Sequence, residues 1–187
     1  LLGRHRVTWI NIEGLGDAAA IQEIGKIFGL HSLALEDVVH VHQRAKVDDY
    51  ENHLFIVARM VAYNDHLKTE QISLFLGKNF VVSFLEDPGD CLDGLRDRLR
   101  KGRGRTRSEG PDYLVYAILD AVIDSYFPVL DALDQQLNEL DDQITEGAGQ
   151  AAIAPLHSIR NDLRMLRRSI GPHREAVAAA VKPTLDH

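Results

Sequence analysis

Two pairs of acidic residues stand in apolar stretches of this chain of 187 residues. Glu36 and Asp37 lie within "HSLALEDVVHVHQR", and Asp120 and Asp124 lie within "YAILDAVIDSYF". Carboxylates among Ile, Leu, Val and Tyr cost free energy unless they are paired, and carboxylate oxygens are good ligands for Mg²⁺ and Ca²⁺. The four residues are therefore candidates for a divalent-cation site, and exposure of each carboxylate to water is the alternative.

The spacing within each pair limits what the pair can bind. Glu36 and Asp37 are adjacent, so on a helix their side chains point about 100° apart and each needs a different partner. A helix-capping residue, Ser32, opens the segment that carries them. Asp120 and Asp124 are four residues apart and share one face of a helix, so a single ion could offset the cost of both carboxylates.

A further motif is typical of dinucleotide binding. "GLGDAA", from Gly14 to Ala19, satisfies the G-x-G-x-x-A pattern between a predicted strand and a predicted helix. Asp37 follows about 20 residues later, where a ribose-binding acid is expected. Asp17 opposes this interpretation, because its negative charge would stand where a pyrophosphate binds at the helix N-terminus. We therefore disfavour a nucleotide-binding enzyme that uses Gly14 and Gly16.

His40 and His42, in "HVHQR", are candidate zinc ligands. Zinc sites normally use three or four protein ligands, and the lone Cys91 is distant in sequence. A polar turn is the favoured interpretation. The sequence has no Ser/His/Asp or Cys/His arrangement in a recognisable local context, so it gives no indication of an enzyme.

The overall composition disfavours several classes of protein. The net charge of −7 opposes a nucleic-acid partner, because phosphates would be repelled. A single cysteine excludes an internal disulfide and fits a reducing compartment. No run approaches the roughly 18 apolar residues that a membrane span needs, and no signal-peptide pattern opens the chain. We therefore expect a soluble piece of a longer protein.

Strand and helix patterns alternate in the first part of the chain. The stretches "VTWINIEG", "HLFIVARMVAY" and "QISLFLGKNFVVSFLED" read as strands, and the last of them contains a hairpin through Gly77, Lys78 and Asn79. Asp17 is the expected N-cap of the first helix. A short amphipathic helix is predicted in "DCLDGLRDRLRKGR". These patterns together indicate an α/β unit.

Apolar residues recur at spacings of three and four in the second part, which predicts two long helices packed antiparallel. The predicted seam consists of Leu130, Leu133, Leu137, Leu140 and Ile144 on the first helix and Leu156, Ile159, Leu163, Leu166 and Ile170 on the second. Pro128 and Pro172 lie inside the pattern and should kink or break it locally.

Charge is divided between these two predicted helices. The first carries Asp131, Asp134, Glu139, Asp141 and Asp142, and the second carries Arg160, Arg164, Arg167, Arg168 and Arg174. Ion pairs between the helices are the simpler interpretation, each worth about 0–1 kcal/mol when exposed. An acidic surface that attracts cations or a basic part of an assembly is the alternative.

Four long segments, taken in order, resemble the cytoplasmic domain of CorA magnesium and cobalt transporters. They are "TWINIEG", "HSLALEDVVHVHQRAKVDDYENHLFIV", "EQISLFLGKNFVVSF" and "DYLVYAILDAVIDSYFPVLDALDQQLNELD". The resemblance runs from about Val7 to about Glu175. It implies an α/β fold class, a mixed sheet flanked by helices (α/β/α) with an appended long antiparallel helical hairpin. The implied parts are an α/β cytoplasmic sensor domain at 1–110 and the hairpin at 111–187.

The resemblance also implies an assembly. CorA-type transporters are funnel-shaped homopentamers of the cell membrane, in which a long helix connects the cytoplasmic domain to two membrane-spanning segments with a Gly-Met-Asn motif. The sequence stops at His187, before those parts. We therefore expect attachment to the membrane through missing C-terminal segments, and a monomer or dimer for the fragment alone.

The resemblance implies a regulatory role for Mg²⁺, with Co²⁺ or another divalent cation as an alternative, bound between neighbouring cytoplasmic domains. Asp37 matches the acid that pairs across the interface with an acid of the missing helix. Glu36 and Asp120 match acids of a second site, and Asp124 lies beside it. The implied function is a cytoplasmic sensor of divalent cations. A zinc-transporting relative and a stand-alone cytosolic regulatory domain are the alternatives.

Overall fold

Five strands form one mixed sheet in the computed structural model. The structure describes residues 5–102, 105–147 and 149–181. Side chains are described as far as His173, except that of Thr106. The strands are β1 (Thr8–Glu13), β2 (Lys46–Tyr50), β3 (His53–Asn64), β4 (His66–Gly77) and β5 (Phe80–Leu85). Their order across the sheet is β1-β5-β4-β3-β2. β1 and β5 are parallel and the other neighbours are antiparallel, so the predicted mixed sheet is confirmed.

Helices cover both faces of this sheet. They are α1 (Ala18–Phe28), α2 (Ser32–Val39), α3 (Asp93–Arg100), α4 (Pro111–Asp124), α5 (Tyr126–Thr145) and α6 (Ile153–Val181), and a short 3-10 turn spans Arg105–Arg107. α1 and α2 pack on one face and α3 and α4 on the other. The α/β/α layering predicted for this chain is therefore confirmed.

The alternation of side chains along β3 builds both cores. Phe55 and Val57 pack with Leu35 of α2, whereas Ile56 between them packs with Ile118 of α4. Successive residues of a strand point to opposite faces, and all five of these side chains are 3% exposed or less. The near-continuous apolar run of β3 follows from its burial on two sides.

The edge strand β2 was missed in the sequence because its pattern, "KVDDY", is mostly polar. It pairs with β3 from Lys46 opposite Val57 to Tyr50 opposite His53. Charged residues are typical of edge strands, where they oppose pairing with another chain. The predicted N-cap of α2 was also wrong: the cap is His31, whose Nδ1 accepts the N–H of Leu33 at 3.3 Å.

The helical hairpin of α5 and α6 docks on the part of β3 that extends beyond β2. The last pair between the two strands is Lys46 and Val57, so the next outward-facing backbone groups, those of Arg59, have no strand partner. His173 Nε2 accepts the N–H of Arg59 at 3.0 Å, and the Tyr126 hydroxyl donates to its carbonyl at 2.9 Å. Two side chains thus replace the missing ladder bonds.

The predicted seam of the hairpin is split between two faces. Leu133, Leu140, Ile159 and Leu166 are buried, as predicted, but Leu130, Leu137, Ile144, Leu156, Leu163 and Ile170 are exposed. α5 is rotated so that Val129 and Leu133, rather than Leu130, contact Val61 and Leu67 of the β3–β4 hairpin. The helix is apolar on two sides, and the contact with the strands determines which side is buried.

The exposed side forms what we call the outer stripe. It consists of Tyr116, Ile123, Leu130, Leu137 and Ile144 on α4 and α5, which are 59%, 37%, 44%, 38% and 48% exposed. These residues recur every seven positions, the period of a helix that packs against another helix. An exposed apolar surface of this kind marks a site of interaction.

Pro128 and Pro172 act differently. α4 ends at Asp124 and α5 begins at Tyr126, because Pro128 has no N–H to donate to the carbonyl four residues before it. The predicted local break at Pro128 is confirmed. α6 remains helical through Pro172 and continues to Val181.

The consecutive helices α4 and α5 meet the length and composition of a membrane span. Residues Pro111–Thr145 contain a window of 18 residues with a mean hydropathy of 1.5, so the expectation that no segment approaches this criterion was too strict. A core helix of a globular domain meets the same criterion, and α4 buries Leu114, Ile118 and Val122 against the sheet.

The ion pairs expected between the acidic and basic arms of the hairpin are not formed by the side chains that the structure describes. Among the side chains that the structure describes, no pair within 4.0 Å joins α5 to α6. The buried seam brings apolar residues together, and the acids of α5 are exposed, as are Arg160, Arg164, Arg167 and Arg168 of α6. Both charged surfaces are therefore open to other partners.

Candidate functional site

Glu36 and Asp37 lie on the outer surface of α2. Ala34, Leu35 and Val38 bury the inner face of this helix against the sheet. Glu36 is consequently exposed, whereas Asp37, about 100° further round the helix, is half-buried. The two carboxylates therefore have different surroundings, as their adjacency predicted.

Asp37 already has a cation partner within the chain. Lys46 Nζ lies 2.7 Å from Asp37 Oδ2, and Gln43 Nε2 donates to Asp37 Oδ1 at 3.0 Å. Lys46 also contacts Asp48 at 2.6 Å. Burial alone would lower the pKa of Lys46, but its hydrogen bonds to the two carboxylates outweigh that effect and raise the pKa. A divalent ion at Asp37 would have to displace this ammonium group or share the carboxylate with it.

Lys46 and Gln43 were not identified in the sequence as part of the site. The signal available there was the position of Lys46 at the start of "KVDDY", two residues before the acid Asp48. That pattern does not indicate pairing with Asp37, because the contact forms only when β2 takes its place at the sheet edge beside α2.

Asp120 and Asp124 lie on the exposed face of α4, one turn apart. No hydrogen bond or ion pair to either carboxylate is found among the described side chains. They stand beside Tyr116 and Ile123 of the outer stripe, and the exposed Phe127 follows. In this single chain each of the two carboxylates faces water, which is the alternative that the sequence left open.

The two acid pairs lie on opposite faces of the sheet, since α2 packs on one face and α4 on the other. One chain therefore cannot bring Glu36 and Asp120 to the same ion. No group of three or more His, Cys, Asp or Glu side chains suited to a metal occurs in the part of the chain that the structure describes. A site shared by these acids requires a second chain.

His40 belongs to the C-terminal end of α2. Its backbone N–H donates to the Glu36 carbonyl at 3.0 Å, and its ring Nδ1 lies 3.0 Å from the same oxygen. His42 is exposed in the turn that follows. The polar turn that we favoured in the sequence accounts for both residues.

The N-terminus of α1, directly after the segment with Gly14 and Gly16, is already capped by the side chain of Asp17. The Asp17 carboxylate accepts the N–H of Ala20 at 3.0 Å, which confirms the predicted cap. This carboxylate stands where a phosphate would bind. Asp37, the candidate ribose-binding acid, is paired with Lys46. Both features weigh against a dinucleotide site.

Comparison with known proteins places this arrangement in a family. The model of the family described as CorA-like Mg2+ transporter protein matches residues 5–187. The cobalt/magnesium transport protein CorA of Thermotoga maritima is 39% identical over 175 residues, which cover 92% of this chain and 50% of that protein. This chain therefore spans about half the length of that relative.

Two solved structures from Methanocaldococcus jannaschii share the fold. The soluble domain of CorA superposes with a TM-score of 0.78 at 18% identity, covering 92% of this chain and 69% of that one. The complete CorA magnesium transporter gives a TM-score of 0.83 at 18% identity, covering 96% and 56%. With the family match over nearly the whole sequence, these findings confirm the resemblance: the chain belongs to the CorA-like Mg²⁺ transporter family.

Proposed function

We propose that this chain is the cytoplasmic, divalent-cation-sensing part of a CorA-type magnesium and cobalt transporter, in which Mg²⁺ bound between subunits gates the pore. The ligands we propose are Asp37, Glu36, Asp120 and Asp124. The full-length protein would be a homopentamer of the cell membrane. The division into a sensor domain at 1–110 and a hairpin at 111–187 is part of this proposal.

The observation that carries the proposal is the exposed pair Asp120 and Asp124. The two carboxylates are one turn apart and face solvent, and no described cationic side chain lies within 4.0 Å of either. They stand beside the outer stripe, whose apolar side chains favour contact with another helix. Such a contact would bring these acids into an interface, where unpaired charge is costly and a bound cation offsets the cost.

The positions of the two acid pairs also support a site between chains. Acids on opposite faces of one subunit can meet when identical subunits form a ring, because each subunit then presents one face to each neighbour. Without cations, facing carboxylates repel one another and destabilise the symmetric ring. Mg²⁺ keeps much of its water and binds such sites weakly, which suits a sensor of a millimolar ion.

Two alternatives share the same fold. A zinc-transporting relative would use this architecture with another ion, and a stand-alone cytosolic domain would use it without a pore. The first predicts a stronger response to Zn²⁺ than to Mg²⁺. The second predicts that the reading frame contains no membrane-spanning segments, so sequencing the gene on both sides of this region distinguishes it.

Addition of Mg²⁺ should stabilise the chain through Asp120 and Asp124. For a Kd of about 1 mM, about 20 mM Mg²⁺ contributes about 1.8 kcal/mol, which raises Tm by roughly 4–7 °C. Thermal unfolding is measured in MgCl₂ and in NaCl of equal ionic strength. We expect the double variant Asp120→Asn, Asp124→Asn to lose the Mg²⁺-specific shift.

The matched control is Asp142→Asn, Glu146→Gln, which removes an exposed acid pair of the same spacing at the end of α5. We expect this variant to respond to Mg²⁺ like the parent. Equal responses of both double variants would show that Asp120 and Asp124 bind no cation. Because the site requires two chains, the shift should also increase with protein concentration.

Lys46 should compete with a divalent ion for Asp37. Replacing it by methionine keeps most of the apolar stem and removes the ammonium group that lies 2.7 Å from the carboxylate. We therefore expect Lys46→Met to bind Mg²⁺ at least about threefold more tightly, a gain of roughly 0.7 kcal/mol that is typical of an ion pair at a protein surface. Titration calorimetry measures this affinity. Unchanged binding would mean that Asp37 is not a ligand in this chain.

A further inference from the structure

Arginines converge on a cavity that the cation-sensing proposal does not use. The cavity has a volume of about 720 Å³ and lies between the segment after α2, the β3–β4 hairpin and α6. Its lining includes His42, Gln43, Arg44, Arg59, Arg167 and Arg168. Four arginines thus line one concave surface of a chain whose net charge is −7.

Arg59 is held rigidly at this cavity. Its side chain is only 14% exposed, and it donates from Nη1 to the Val41 carbonyl at 2.7 Å and from Nη2 to the Thr69 hydroxyl at 3.1 Å. These bonds use two of the five N–H donors of the guanidinium. Arg59 therefore presents a fixed positive charge. A ligand that binds it does not have to offset the entropy cost of ordering this side chain, because the fold already orders it.

Among the described side chains, three of the four arginines at the cavity lack a nearby counter-charge. Arg44, Arg167 and Arg168 have no described carboxylate within 4.0 Å, and Glu86 is 3.8 Å from Arg59 Nη1. Glu86 also accepts the backbone N–H of Gln71. The cavity is consequently positive, and its arginines repel one another unless an anion enters.

The size and chemistry of the cavity indicate the class of that anion. Its volume falls in the range of small-molecule sites, roughly 300–1,000 Å³. Guanidinium groups bind phosphate oxygens through two parallel hydrogen bonds, and the hydroxyl-bearing Thr69 and Ser169 also line the cavity. Arginines from the segment before β2, from β3 and from α6 surround it, which suits a ligand with more than one phosphate group.

We propose that this cavity binds a small oligophosphate, and the simplest probe is inorganic pyrophosphate. The ligand bridges Arg44 and Arg59 on the sheet side with Arg167 and Arg168 on α6. It would therefore join the helical hairpin to the α/β layers and oppose their separation. Binding should raise the Tm of the chain for this reason.

Pyrophosphate is titrated calorimetrically into the 187-residue chain at constant ionic strength, with EDTA present to remove divalent cations. We expect saturable binding of one pyrophosphate per chain. Arg44→Gln, Arg168→Gln should weaken it at least about tenfold, because the two substitutions remove charge-assisted hydrogen bonds to phosphate oxygens. The control Arg160→Gln, Arg164→Gln removes the same charge from exposed positions of α6 outside the cavity, and should change affinity less than about twofold.

Circular dichroism checks that each variant folds, and the single variant Arg167→Gln replaces the double variant if that one does not. Absence of saturable binding to the parent overturns the proposal. Equal weakening by both double variants also overturns it, because binding would then follow net charge alone. Since EDTA is present, neither outcome bears on the Mg²⁺ sites.

Discussion

Replacing Leu133 by alanine should lower the free energy of unfolding by about 3 kcal/mol, the usual cost of removing a buried leucine side chain. Leu133 is 2% exposed and packs with Val61 and Leu67 of the β3–β4 hairpin and with Ile159 and Leu166 of α6. Leu130→Ala, on the same helix, should cost less than about 1 kcal/mol because that side chain is 44% exposed. Chemical denaturation of both variants measures the difference.

This comparison is well controlled, because alanine has the higher helix propensity of the two residues and neither substitution penalises α5 itself. Equal losses for Leu130 and Leu133 would contradict the orientation of α5 described above. A cost of Leu130→Ala that grows with protein concentration would instead show that a second chain covers the outer stripe. Measurements at two concentrations therefore test both statements.

Acidification should destabilise the chain through two buried histidines. Burial lowers the pKa of His173 and of His53 below their ordinary value of 6.5, and electrostatic interaction with the neighbouring Arg59 and His31, respectively, lowers it further. For His173 a hydrogen bond with the Ser169 carbonyl opposes this effect in part. Both rings are therefore neutral in the folded chain at pH 7.

The sign of the pH dependence follows from linkage. Below pH 6.5 the unfolded chain binds more protons at these histidines than the folded chain does. Their contribution to stability is therefore complete above the unfolded value and is lost as the pH falls towards the folded value. At His173 protonation would also remove the lone pair of Nε2 that accepts the Arg59 N–H.

His173→Gln tests this expectation. At pH 8 it should cost about 1–3 kcal/mol, because the N–H of Arg59 loses its partner, and the decline in stability between pH 7.5 and 5.5 should become shallower. Comparison of variants is needed because burial raises the pKa of Glu70 above 4.5, which acts in the opposite direction. His157→Gln, an exposed position on α6, is the control. Parallel curves for His173→Gln and the parent would contradict the assignment.

The strands and helices that were predicted correctly are those with strong local periodicity. β3, β4 and β5 are apolar runs separated by turns, and Gly77 allows the tight return to Phe80, whose ring a Cβ at Gly77 would meet. The cap at Asp17 is equally local. β2 was missed because an edge strand is defined by its neighbour and not by its own pattern.

For the candidate site, too, only the features with a local signal in the sequence were predicted. Adjacency predicted that Glu36 and Asp37 have different surroundings, and spacing predicted that Asp120 and Asp124 share a face of one helix. Neither observation indicated that the pairs lie on opposite sides of the sheet. The pairing of Asp37 with Lys46 also had no local signal, since it depends on the approach of β2 to α2.

By itself the sequence determined the mixed α/β layers, the helical hairpin, the acidic residues and the resemblance to CorA, because local periodicity, caps and long collinear motifs are properties of the chain order. Only the tertiary structure decided which apolar side of α5 is buried, which carboxylate has an internal cation and where the arginines converge. The physical reason is distance along the chain. The bond between Arg59 and His173 joins residues 114 positions apart, and a periodic helix with two apolar sides needs such contacts to select one of them.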